Sequence, residues 1–212
     1  YKRLLGDEIP IIGWVEGCLA EAADLRGVNE LMYDLVDDED FVRDLMDLCL
    51  EQAVVFARAQ IEAGADIIGI GDAIASVAGP VYYQKFALPY EIKLLSAIRE
   101  MGAKTKLHIC GNITPFLSYL PYDHCDIIDL DWMVPLEKTA ALAGSRCALG
   151  GNYDPVAVLM QGSETAVRDA VIACSRAGAE RYISAAGCEV PKATPTENFL
   201  TVARTLQELE LR

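Results

Sequence analysis

The chain is predicted to be an α/β protein of the (β/α)8 barrel type, incomplete on its N-terminal side. Three observations lead there. Short β-type runs alternate with amphipathic helical stretches along all 212 residues, the pattern of a parallel sheet. The runs are nearly continuous in apolar residues, as in strands covered on both faces. Neither a Gly-x-Gly-x-x-Gly turn after the first strand nor a Walker-type loop is present, which removes support for nucleotide-binding open sheets. A complete barrel takes about 250 residues and eight strands, and six runs qualify here. About two N-terminal strands are therefore expected to be missing. The chain opens at Tyr1 with no initiator Met and no signal pattern, as a processed product or fragment would.

The strands are expected at Ile9 to Val15, Ala65 to Asp72, Thr105 to Cys110, Asp126 to Asp131, Arg146 to Gly150 and Arg181 to Ala186. Asp37 or Asp38 can cap a long helix whose apolar face carries Phe41, Leu45, Leu48, Val55 and Ala59, with Gly64 as its stop. The acidic run Asp37-Asp38-Glu39-Asp40 reads as that helix's N-terminus complementing the macrodipole, not as a binding tail. Gly102 and Gly178 end helices over Tyr83 to Met101 and Ser163 to Ala177. Thr194-Pro195-Thr196-Glu197 reads as a capping box with Pro at the first helical position, launching a last helix toward Leu211. No linker, repeat or low-complexity tract interrupts the pattern, so residues 1–212 read as one barrel domain.

Composition narrows the function. With 52% hydrophobic residues the chain has enough apolar material for a core. Eighteen Lys and Arg against 32 Asp and Glu give a formal charge of -14, which excludes non-specific attraction to nucleic acid or anionic membranes. No apolar run approaches the roughly 18 to 20 residues that span a bilayer. Seven cysteines, an odd number without a periodic framework, fit a reducing, cytoplasmic setting. Cys49, Cys147 and Cys174 read as small buried hydrophobes.

In a parallel barrel, functional groups gather where strands end. The ends read Trp14-Val15-Glu16-Gly17, Gly71-Asp72, His108-Ile109-Cys110-Gly111-Asn112, Asp129-Leu130-Asp131-Trp132, Gly151-Asn152-Tyr153-Asp154 and Gly187-Cys188-Glu189. In His108-x-Cys110, residues two apart on a strand project an imidazole and a thiol to the same side. Cys188 ends another strand. One His with two Cys and a vacant fourth position is a catalytic zinc arrangement, since thiolate and imidazole suit that ion and the vacancy admits substrate. The bland alternative is that both cysteines are buried filler. Glu16 and Asp72 can supply a further ligand or a proton acceptor; the alternative for each is a capping or solvated carboxylate. Trp14, Asp131 and Asn152 can line the substrate pocket, although Asn152 and Asp154, between glycines and Pro155, shape a turn as readily. His124 and Cys125 precede a strand, at the wrong end of a barrel, and read as structural.

The segments Gly64-Ala65-Asp66, His108-Ile109-Cys110-Gly111-Asn112, Gly151-Asn152-Tyr153-Asp154-Pro155 and Gly187-Cys188-Glu189-Val190-Pro191, followed by Thr194-Pro195-Thr196-Glu197-Asn198, resemble the uroporphyrinogen decarboxylase superfamily. Within it they look more like the methylcobalamin:coenzyme M methyltransferase branch than like the decarboxylases. The match runs in order over essentially the whole chain. The resemblance implies a (β/α)8 barrel in which His108, Cys110 and Cys188 bind zinc. That zinc would activate a small-molecule thiol, which takes a methyl group from methylcobalamin carried by a corrinoid protein. Two other readings follow from the same family. One is a metal-free decarboxylase of porphyrin biosynthesis, against which Gly187-Cys188-Glu189 stands where the decarboxylases resemble one another in a His. The other is an inactive barrel that binds a corrinoid protein. With the family's N-terminal segment absent, the opened barrel edge is expected to be buried, most simply in a homodimer.

Overall fold

A computed structural model describes residues 1–178 and 181–210. The six expected strands are all present: β1 (Ile12–Glu16), β2 (Ile67–Gly71), β3 (Lys104–Ile109), β4 (Ile127–Leu130), β5 (Ala148–Tyr153) and β6 (Tyr182–Ala186). Helices α1 (Lys2–Leu5), α2 (Cys18–Arg26), α3 (Val28–Asp37), α4 (Glu39–Glu62), α5 (Ala73–Tyr82), α6 (Leu88–Glu100), α7 (Leu136–Ala143), α8 (Glu164–Ala177) and α9 (Thr196–Glu210) alternate with them. The residues divide into two units, one of Tyr1–Ile127 and one beginning at Ile128.

In the first unit β1, β2 and β3 run parallel, with Trp14 beside Gly69 and Gly69 beside Lys106, then Glu16 beside Gly71 and Gly71 beside His108. Because side chains alternate along a strand, the two faces separate cleanly. Val15, Ile68, Ile70, Thr105, Leu107 and Ile109 are all buried on one face, where α4 packs on β1 and β2 and α6 packs on β3. Trp14, Glu16, Lys106 and His108 occupy the other face, with Gly69 and Gly71 between them.

Asp38 caps α4 as expected, its carboxylate accepting from the Phe41 N–H at 3.2 Å, and Glu39 and Asp40 fill the first turn. The buried face of α4 is not the predicted one. Val42, Met46, Cys49, Ala53 and Ala57 face inward, whereas Phe41, Leu48 and Val55 are 39%, 58% and 61% exposed. Both stripes have helical spacing, but the inner one is built from smaller side chains that let the helix lie close on the sheet, and close packing decides. The predicted helix at Tyr83 also differs: residues Tyr83–Ala87 form a π-type turn between α5 and α6, and α5 itself was not anticipated because Gly79 and Pro80 interrupt its pattern.

The outer edge of β1 is covered locally. Gln60 on α4 accepts from the Trp14 N–H and donates to the Trp14 carbonyl, each at 2.9 Å, as a neighbouring strand would.

Asp126 ties β3 to the segment before β4. Burial raises its pKa, but the Thr105 N–H, Lys104, Arg99 and the Thr105 hydroxyl outweigh that and hold it at about 2. A lowered carboxyl pKa contributes stability that is present above the unfolded value and lost as pH falls through the folded one. Asp126→Asn is therefore expected to cost about 1–2 kcal/mol at neutral pH, after allowance for solvent screening, and the cost should vanish between about pH 4 and pH 2. Urea unfolding of both proteins across that range checks it; an undiminished difference at acid pH would remove the ion-pair explanation.

In the second unit β5 and β6 pair in parallel, Leu149 beside Tyr182 through Tyr153 beside Ala186. Their core joins Tyr153, Leu159, Val167 and Val171 to Val202 and Leu206 of α9. Asn198 fastens α9 by donating to the Leu159 and Gly162 carbonyls at 2.7 and 3.1 Å. The expected capping box does not form, because the Thr194 hydroxyl is buried without a hydrogen-bond partner and α9 begins at Thr196. Its other predicted end, Leu211, lies outside the described residues. Among the described residues no helix is long and apolar enough to cross a membrane.

Candidate metal centre

His108 is buried near the end of β3, and Cys110, two residues on, is half-buried just past it. Directly across the register, with only Gly71 between, Glu16 ends β1 on the same face as His108. Burial raises the Glu16 carboxyl above the usual carboxylate range, and the charges of Asp24 and Glu21 add to it. This gives an acid able to hold or release a proton closer to neutrality than an exposed one.

Two residues back, Trp14 lies across glycines. A Cβ at Gly69 would sit 2.2 Å from its ring, and one at Gly71 3.0 Å. These glycines thus serve close approach, giving the indole a flat bed. The Lys106 ammonium stands 5.9 Å from the indole centroid, within reach of a cation–π attraction. Trp14 is 39% exposed, so its other side is free to contact a ligand.

Asp72, the other predicted catalytic carboxylate, is placed differently. Its N–H donates to the His108 carbonyl at 2.9 Å, but its side chain is 1% exposed and turned to the start of α2, where a Cβ on Gly17 would come within 2.5 Å of it. It supports the end of β3 and does not share the face of Glu16 and His108.

In the second unit Cys188 is half-buried two residues past β6. Gly187 donates to the Tyr153 carbonyl at 2.9 Å and lies so close to the chain after β4 that a Cβ there would be 2.2 Å from the Trp132 nitrogen. Only glycine lets β6 end against that loop, which brings Gly187, the residue before Cys188, up to the backbone of Asp131 and Trp132. Asp131 is buried and accepts from the Met133 N–H at 3.0 Å. Asn152 donates to the Asp131 and Val134 carbonyls at 3.2 and 2.6 Å, so its amide pins the loop after β4. Asp154 accepts from the Val156 and Ala157 N–H groups and shapes the turn, as the alternative reading held. His124 is exposed, and the buried Cys125 donates to the Ile127 carbonyl at 2.9 Å.

Among the described residues the metal-ligand types at the strand ends are His108 and Cys110 in the first unit and Cys188 in the second. Their donor set fits zinc, with one imidazole and two thiols and room in the coordination shell for a fourth ligand. Sequence reasoning missed Lys106, Gln60, Tyr83 and Glu91. Of these only Glu91 carried a readable signal, an acid flanked by Tyr90 and Leu94 on the buried side of a helix.

The uroporphyrinogen decarboxylase (URO-D) family description matches residues 1–209. The methylcobamide:CoM methyltransferase MtbA of Methanosarcina mazei is 36% identical over 196 residues, 92% of this chain and 57% of that protein. The uroporphyrinogen decarboxylase of Syntrophotalea carbinolica is 30% identical over 169 residues, 74% of this chain and 48% of that protein. Among solved structures a methyltransferase from Methanosarcina mazei superimposes with a TM-score of 0.91 at 27% identity, covering 99% of this chain and 61% of that one. The chain thus spans between about half and three-fifths of the length of these relatives. Its barrel-type α/β fold, with six strands, is the predicted class, and the chain belongs to the uroporphyrinogen decarboxylase family.

Proposed function

We propose that this chain carries the zinc-binding and thiol-activating part of a corrinoid-dependent methyltransferase, with residues 1–212 forming a single family domain. The observation that carries the reading is the donor set itself, His108, Cys110 and Cys188, each at or just past the C-terminal end of a strand. Similarity to methylcobamide:CoM methyltransferases at 35–36% identity supports it.

The three side chains would hold the ion and leave a position for the acceptor. Bound there, zinc would lower the pKa of a small thiol and so supply a nucleophile near neutral pH. Glu16, on the face of His108, is the group that takes the thiol proton. A corrinoid, when bound, would supply the methyl group and keep the electrons of the broken carbon–cobalt bond. Trp14 excludes water from one side of the acceptor, and Asp131 and Asn152, which hold the loop after β4, line the substrate side. A corrinoid protein is the expected methyl donor, and the seven free cysteines agree with a reducing, cytoplasmic setting.

Elemental analysis of the purified protein, followed by thiol methylation from methylcobalamin, tests this reading. About one zinc per chain and a methylated thiol are expected. A protein that takes up no zinc and decarboxylates a porphyrinogen would instead establish the alternative, which the 30% identity to a uroporphyrinogen decarboxylase supports.

A further inference from the structure

Two segments of the first unit, one after β2 and one at the end of β3, are without charge. Residues 73–84 and 109–122 contain no Asp, Glu, Lys, Arg or His, in a chain whose residues are 24% charged. The first segment forms α5 and the start of the π-type turn, and the second holds the 3-10 turn Thr114–Tyr119; the two touch. Both begin where a parallel strand ends, the side on which barrel enzymes gather their binding groups. Of the charges that flank the first segment, Asp72 is buried and Lys85 ion-pairs with Glu39.

Packing accounts for the inward side of these segments, where Ala75 and Phe116 are buried. It does not account for the outward side. Val77 and Val81 are 64% and 69% exposed, and Tyr119 is 45% exposed. Single exposed apolar side chains are ordinary, but a contiguous uncharged face that carries several belongs to an interaction site. The exposed Asn112 and Ser118 add an amide and a hydroxyl to it. The face adjoins Cys110: Ser76 of α5 stands so near Gly111, the next residue, that a Cβ there would come 3.1 Å from its hydroxyl oxygen. An ionic ligand would lose its hydration here and find no countercharge. What fits is a broad neutral body with apolar edges and hydrogen-bonding groups, and a corrin macrocycle, flat and rimmed with methyl groups and carboxamides, is such a body.

We propose that this charge-free face seats the corrin ring of methylcobalamin, with the ring's apolar edge on Val77, Val81 and Tyr119 and its carboxamides toward Asn112 and Ser118. The choice of ligand rests on the methyl-transfer reading, which needs a donor beside an acceptor held near Cys110. The other candidate occupant is a second copy of the chain, whose charge of -14 opposes its own approach.

Equilibrium dialysis of the full chain against methylcobalamin, followed by the ligand's visible absorbance and with neither zinc nor thiol added, should show saturable binding. Val77→Asp with Val81→Asp should weaken it about tenfold or more, since two carboxylates would be desolvated under the ring. Val55→Asp, at a similarly exposed site on α4, should leave it unchanged, and Val77→Leu with Val81→Leu should keep it. If the doubly acidic variant loses its fold by circular dichroism, the more exposed Val81→Asp alone is measured against the same controls. No saturable binding by wild type, an affinity of the acidic variant within about twofold of wild type, or an equal loss in Val55→Asp would overturn the proposal. So would a wild-type dimer in sedimentation that the acidic variant abolishes while its methylcobalamin affinity stands, which would assign the face to a second copy. A protein that binds methylcobalamin at this face but takes up no zinc would sink the proposed function and leave this inference standing. Zinc uptake and thiol methylation with unaltered methylcobalamin dependence in the acidic variant would do the reverse.

Discussion

Replacement of both Cys110 and Cys188 by Ser is expected to reduce bound zinc from about one ion per chain to none. A serine hydroxyl is not ionised near neutral pH and is a hard donor, so one imidazole would remain to hold a soft-preferring ion. Methyl transfer to a thiol should disappear together with the metal. The cysteines are only half-buried and the replacement removes no carbon, so the fold should survive with its circular dichroism unchanged. That separation makes the result informative, because loss of zinc with retention of fold isolates ligation from structure. Zinc retained in full by the double variant would refute the ligand assignment. Zinc lost while methyl transfer persists would refute the role given to the metal.

The second large effect is expected at Gly151→Ala. Gly151 lies on β5 with φ of +109°, a conformation that side chains rarely adopt, and a Cβ there would come within 2.5 Å of the Leu130 carbonyl oxygen. The obstacle is backbone, so no rotamer change relieves it. Strain of about 1–3 kcal/mol from the dihedral adds to about 1–3 kcal/mol from the overlap. For a chain of this size each kcal/mol lowers Tm by about 2–4 °C, which predicts a fall of roughly 4–24 °C in a thermal melt. The neighbouring Asn152 holds the loop after β4 by its hydrogen bonds to Asp131 and Val134, so the loop that carries Asp131 should loosen as well. A melting temperature within about 2 °C of wild type would mean that β5 and β4 separate there at little cost.

Both effects depend on features that differ in how far the sequence revealed them. The His108-x-Cys110 spacing is local: on a strand it puts both groups on one side whatever surrounds it. Cys188 was legible because it follows an apolar run and so must lie at a strand end. The glycine at 151 could be read only as part of a turn, since its need for space comes from Leu130, 21 residues away in the chain and adjacent only after folding. The face of α4 was misassigned for a related reason. Phe41, Leu48 and Val55 have the period of a buried stripe, and only the sheet beneath the helix selects the line of Val42, Met46, Cys49, Ala53 and Ala57. Asp72 looked like a pocket carboxylate because it ends a strand, but its side chain turns to the amides of α2, a helix that the sequence did not announce.

By itself the sequence determined the alternation of strands and helices, the parallel α/β class, the helix start at Asp38 and the ligand-type residues at the strand ends, because hydrophobic period, capping and spacing act over a few residues. Only the tertiary structure decided which stripe of α4 is buried, that Gln60 covers the edge of β1, that Trp14 rests on Gly69 and Gly71, and that Asp72 turns out of water. Each of those outcomes depends on packing and desolvation between segments far apart in the chain, and neither quantity exists before the chain has folded.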